Sequence, residues 1–140
     1  MTAGRDDAAY LWDMYEAAGD VREFVAGRTW EDYLADKMLR AAVERKVEII
    51  GEAARGVSKA FQDAHPSVPW RPITSQRHRL AHEYATILNA RIWQVATVHV
   101  PDLIALLAPL LPPKPPDPEP EASTGAAPPA PPPPTPPDEG

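Results

Sequence analysis

The chain contains no cysteine. That absence excludes a disulfide framework, a thiolate metal site and a cysteine nucleophile. A basic excess is missing too: 14 Lys and Arg stand against 20 Asp and Glu, for a net charge of −6 at neutral pH. A dedicated duplex-binding domain normally carries a basic face and a high pI, so contact with nucleic acid has to rest on a local cluster. No alternation of polar and apolar residues marks a strand, no turn dipeptide marks a hairpin, and no internal repeat is visible. Glycine-rich phosphate loops and nucleophile elbows are absent as well. The longest apolar run, Leu103 to Leu111, is interrupted by Pro109 and is too short for a bilayer. The N-terminal stretch lacks the basic start and apolar core of a signal peptide. A soluble, cytoplasmic protein is expected.

What the sequence has in excess is proline, and its placement divides the chain. Of 19 prolines, 14 lie between Pro112 and Gly140. That stretch also holds Asp117, Glu119, Glu121, Asp138 and Glu139 against the single Lys114, so it carries −4 of the net charge. Such a composition cannot build a core and predicts an extended, disordered tail over residues 112–140. Residues 1–111 are left as one domain with one modest core.

Within that domain the apolar residues follow helical spacing. Leu11, Met14, Tyr15, Ala18, Val21 and Val25 predict a first helix from about Asp7 to Ala26, with Gly27 at its end. Thr29 with Asp32 three residues on resembles a capping box. Val43, Val47, Ile50, Ala54, Val57 and Phe61 predict one long helix from about Asp36 to Ala64, ended by His65-Pro66. A third helix is expected from Trp70 to about His82 or Tyr84. Asn89 is expected to cap the last helix, whose apolar face comprises Ile92, Val95, Ala96, His99, Leu103, Leu106 and Leu110, and Pro101 should kink or split it. The fold class is therefore all-α, a bundle of four or five helices. Trp70 and Trp93 read as core anchors, with Trp12 and Trp30 in the same role. His65 and His99 read as structural.

The chemistry concentrates in Ser75-Gln-Arg-His-Arg-Leu-Ala-His-Glu-Tyr84, which packs Arg77, His78, Arg79, His82 and Tyr84 into eight residues. A histidine near neutral pKa is able to exchange a proton with a ribose 2′-hydroxyl or a leaving oxygen. A guanidinium holds phosphate and neutralises charge as it builds. On one helix, side chains five residues apart diverge by roughly 140°, so Arg77 and His82 do not simply share a face. One arginine and one histidine make half of a two-proton arrangement, and a homodimer would supply the other half. By residue type alone, such a run is usually a solvated helix face. His78 and His82 share a face at i, i+4, but no third ligand is suitably spaced and no metal site is expected.

The spacing Arg77-x4-His82-x-Tyr84 resembles the motif of HepT-like proteins, members of the HEPN superfamily. Tyr10-Leu-Trp-Asp-Met14, Val47-Glu-Ile-Ile-Gly-Glu-Ala-Ala54 and His65-Pro-Ser-Val-Pro-Trp70 resemble the family's first helix, long-helix core and approach to the motif. The resemblance covers roughly residues 6–111 and leaves the tail outside. It implies a HEPN-type helical bundle that forms a homodimer and acts as the toxin of a two-gene, type VII-like toxin–antitoxin system. It also implies a metal-independent endoribonuclease without a cofactor of its own, with RNA as substrate and a minimal MntA-like nucleotidyltransferase as antitoxin. Arg77 would bind the scissile phosphate, His82 would act as general acid or base, and His78 and Arg79 would support RNA binding. Tyr84 would receive AMP from the antitoxin, which spends ATP to silence the site. His78 and Glu83 depart from the family's usual asparagine and glycine, and a carboxylate beside His82 would raise its pKa or repel RNA. The competing readings are a non-catalytic module that binds a nucleotide or a nucleotidyltransferase, and a purely structural helical dimer.

Overall fold

A computed structural model describes residues 6–75, 85–114 and 130–133. Among these the chain is all-α, with no strand. Helix α1 runs Asp7–Val25 and is capped by the Asp6 carboxylate, which accepts from the Ala8 amide. It ends just before Gly27, whose φ of 71° is the left-handed conformation that glycine adopts without strain. Helix α2 spans Trp30–Ala35 and opens with a complete capping box. The Asp32 amide donates to Thr29 Oγ1 at 3.1 Å, and the Thr29 amide donates to Asp32 Oδ2 at 2.9 Å. The Thr29 amide, and after it the Thr29 hydroxyl, hold the Asp32 carboxyl below its usual pKa, helped by Arg28 nearby.

The stretch from Asp36 to Ala64 is not one helix. It divides into α3, Lys37–Gly56, and α4, Lys59–Ala64. Val57 is extended (φ −66°, ψ 134°), and Ser58 starts a new helix by accepting from the Phe61 amide at 3.2 Å. A further pair of bonds stabilises the break: the Ser58 amide and hydroxyl both donate to the Asp7 carboxylate at 2.7 Å. The apolar seam survives the break, because Val43, Val47, Ile50, Ala54 and Val57 are all buried.

Asp7 meets Ser58 at one end of α1, and Asp20 meets Lys46 at 2.9 Å further along, so α1 and α3 run antiparallel. Their facing sides form most of the core, with Leu11, Met14, Ala18 and Val21 against the α3 seam. At Gly56 the two helices come so close that a Cβ would run into the Tyr10 ring.

After the short helix α5, Trp70–Thr74, the described chain resumes in a long rod. It comprises α6 (Ala85–Gln94), a π-helical turn (Val95–His99), α7 (Val100–Leu107) and a 3-10 turn (Ala108–Leu110). Pro101 accounts for the π turn. Its ring has no N–H and collides with the carbonyl four residues back, so the register widens just before it, and the Val100 amide reaches the Val95 carbonyl. The rod deviates without being split. Asn89 lies inside α6 rather than capping it, because the chain is already helical at Ala85. His99 is exposed rather than part of the apolar face. Ile92, Ala96, Val100, Leu103, Ile104 and Leu107 are the buried residues of the rod, and α7 packs on α1.

The segment Ile87–Leu110 is long and apolar enough to cross a membrane by length and composition. A core helix passes the same test; 33% of this segment's apolar window is buried in the bundle. Below it, Tyr33 stacks on Trp30 with ring centroids 6.1 Å apart and meets Trp93 at 5.1 Å. Trp93 and Trp30 are thus half-buried anchors between α2 and α6.

Candidate functional site

Arg77, His78, Arg79, His82, Glu83 and Tyr84 lie outside the described residues. The chain that leads into them is described, and it is firmly held. Trp70, at the start of α5, is buried and donates its indole N–H to the His65 carbonyl at 2.9 Å. Its ring meets Phe61 edge-on at 6.2 Å, and Phe61 in turn packs on His65 at 4.3 Å. His65 therefore has the structural role its place before Pro66 implies: it ends α4, and its carbonyl seats the tryptophan. Val68, 2% exposed, completes this anchor.

The other end of α5 is fixed by α3. Arg55 donates to the Thr74 carbonyl twice, from Nε at 3.1 Å and from Nη2 at 2.9 Å. One turn earlier on the same face, Gly51 lets the Ile73 carbonyl approach so closely that a Cβ there would sit 3.3 Å from it. Two successive carbonyls at the end of α5 are thereby seated on α3, three residues before Arg77. A charged donor on a carbonyl is among the stronger hydrogen bonds, and a guanidinium at a helix C-terminus also complements the peptide dipoles.

Sequence reading did not single out Arg55. Its only signal is the i, i+4 pairing with Gly51 in the last turn of α3, which gives no hint of a partner 19 residues on. Arg55 and Arg71 are both exposed. Arg77 and Arg79 follow within eight residues of Arg71 in the sequence and lie outside the described residues.

The profile of the family described as "Ribonuclease HepT-like" matches residues 14–110. The chain belongs to that family.

Two relatives illustrate the likeness. The chain is 37% identical over 99 residues to "Putative RNase MJ1380" of Methanocaldococcus jannaschii, covering 71% of this chain and 91% of that protein. It is 35% identical over 99 residues to "Probable ribonuclease HepT" of Thermococcus cleftensis, covering 71% and 90%. No solved structure matches the chain. The HepT-like match starts inside α1 and ends within the 3-10 turn, so the proline-rich tail lies beyond it.

Proposed function

We propose that this HepT-like chain is a metal-independent endoribonuclease, the toxin of a toxin–antitoxin pair, acting in the cytoplasm where RNA and ATP are at hand. The observation that carries the reading is the Arg77-x4-His82 spacing inside a chain of the ribonuclease HepT-like family. The seated end of α5 supports it, because a phosphate-binding arginine needs a fixed point of departure. In the proposed reaction Arg77 holds the scissile phosphate and neutralises the charge that develops on it. His82 takes the proton from the ribose 2′-hydroxyl or returns one to the leaving 5′-oxygen. His78 and Arg79, with the exposed Arg71 nearby in the chain, supply positive potential for the RNA backbone.

One protomer offers a single Arg and His pair, so the working unit is a homodimer with both copies facing the substrate. Apolar side chains left open to solvent, Met38 at 84%, Ile87 at 57% and Val98 at 49%, support a second copy as a partner. The off-switch is Tyr84. An MntA-like nucleotidyltransferase transfers AMP from ATP to its hydroxyl with loss of pyrophosphate, and the added phosphate and bulk deny RNA the site. The chain itself uses no cofactor.

The test is cleavage of a structured RNA by the purified chain in excess chelator. Arg77→Ala and His82→Ala are expected to lose it with the helical circular dichroism unchanged. Full activity in both variants would end the proposal, and binding of RNA without cleavage by the wild type would leave a non-catalytic module instead. Co-expression with the antitoxin should add AMP-sized mass to the wild type and none to Tyr84→Phe.

A further inference from the structure

The first residues of the proline-rich tail are bound to α1 by three separate contacts. The Trp12 indole N–H donates to the Pro112 carbonyl at 2.9 Å, across 100 residues of sequence. Lys114 Nζ lies 2.6 Å from Glu16 Oε1 and 5.9 Å from the centre of the Trp12 ring. Tyr15 stands edge-on to Trp12, with centroids 5.8 Å apart and planes at 85°, and makes the second wall of the aromatic edge. Trp12 was expected to anchor the core; it is half-buried instead, and its polar edge is turned to the tail.

The chemistry of the pair is specific. An indole has one donor and no acceptor. A proline has a carbonyl and no N–H, and in extended proline-rich backbone that carbonyl has no internal partner. Leu111 leaves the 3-10 turn in extended geometry (φ −71°, ψ 124°), and the chain bends at Pro113, which lays Lys114 back over the ring. Lys114 is the only cation in residues 112–140. Glu16 therefore selects one place in the tail, because the later run from Pro128 to Pro137 offers carbonyls but no positive charge. Beyond Lys114 the tail carries Asp117, Glu119 and Glu121, while α1 continues with Asp20 and Glu23.

We infer that the Trp12, Tyr15 and Glu16 edge of α1 is a binding site for a proline-rich strand with a lysine two residues after the accepted carbonyl. Its occupant is this chain's own Pro112–Lys114. The recognition logic is that of aromatic-lined polyproline grooves, here on a helix edge and filled in cis. Tethering explains how three individually weak, partly exposed contacts hold together, since joining the strand to the bundle raises its effective concentration.

The experiment uses the full chain with 15N-labelled indoles, the Trp12 signal being assigned from Trp12→Phe. In Lys114→Glu the Trp12 indole resonance is expected to move and its proton to exchange severalfold faster, while those of Trp30, Trp70 and Trp93 stay in place. The double variant Glu16→Lys with Lys114→Glu should return the resonance to the wild-type position. Added Pro-Pro-Lys-Pro-Pro peptide should shift Lys114→Glu toward wild type, and the same peptide with glutamate for lysine should not. An unchanged Trp12 signal in Lys114→Glu would overturn the inference. A wild-type signal that changes on dilution would overturn occupancy in cis and assign the site to the tail of a second copy.

Discussion

Tyr33 shows how much a single side chain is asked to tolerate in this bundle. It is fully buried between Trp30 and Trp93, and its hydroxyl has no hydrogen-bond partner among the described residues. Burial pushes its pKa from the ordinary 10.0 up to about 12, with Glu44 adding to the effect and Arg40 opposing it. The folded state thus holds the proton more tightly than the unfolded chain does. This contribution to stability is intact below pH 10 and is lost as pH rises from 10 toward 12. Tyr33→Phe should accordingly keep or raise the Tm near neutral pH, since it removes an unpaired buried hydroxyl. It should also flatten the fall in Tm between pH 10 and 12; thermal melts of both proteins across that range would show a parallel decline if Tyr33 were not responsible.

Arg55 is the second informative residue. Arg55→Ala removes both bonds to the Thr74 carbonyl at an exposed site, so the Tm should change little. Misplacing a phosphate-binding arginine by even 1 Å costs up to about a hundredfold in rate, so cleavage should fall at least about tenfold in kcat with KM less affected. Arg55→Lys keeps one donor and should recover part of the loss. Equal effects of Arg55→Ala on stability and on rate would reduce Arg55 to a packing role.

At the scale of elements, the junction of α3 and α4 is the most consequential local feature. The heptad-like spacing from Val43 to Phe61 reads as one uninterrupted helix, because the seam residues keep their phase across the break. Ser58 overrides it: its hydroxyl caps α4, and its amide and hydroxyl hold Asp7 at the start of α1. Ser58→Ala removes the cap and one of those contacts and should cost about 1–2 kcal/mol, measured by urea unfolding; a cost near zero would mean that packing alone sets the break. The capping box at Thr29 was readable because both partners lie within four residues. Ser58 was not, because half of its partners lie 51 residues away. The same contrast holds along the rod. Pro101 announces a deviation, but the π turn that absorbs it depends on keeping Ala96 and Val100 on the buried side. Asn89 looks like a cap only while the start of α6 is unknown.

For the molecule as a whole, the class of fold followed from periodicity, from the missing strand signals and from the proline boundary near residue 112. The core followed on the first two predicted seams, where ten of twelve residues are buried; on the last helix only Ile92, Ala96 and Leu103 of the seven predicted are. Two long-range devices did not follow. Neither the clasp of Arg55 on Thr74 nor that of Trp12 on Pro112 has a local signature, and each joins segments that only the completed bundle brings together. The proposed site residues Arg77 and His82 rest on spacing and family resemblance, not on composition, which is acidic overall, and they lie outside the described residues. The account therefore stands on His82 as the proton-transfer group of a ribonuclease site. It is tested most directly by the single-turnover rate of RNA cleavage in chelator, compared between the wild type and His82→Ala. The expected loss is about 10²–10⁴-fold with the fold intact. Equal rates would contradict the account.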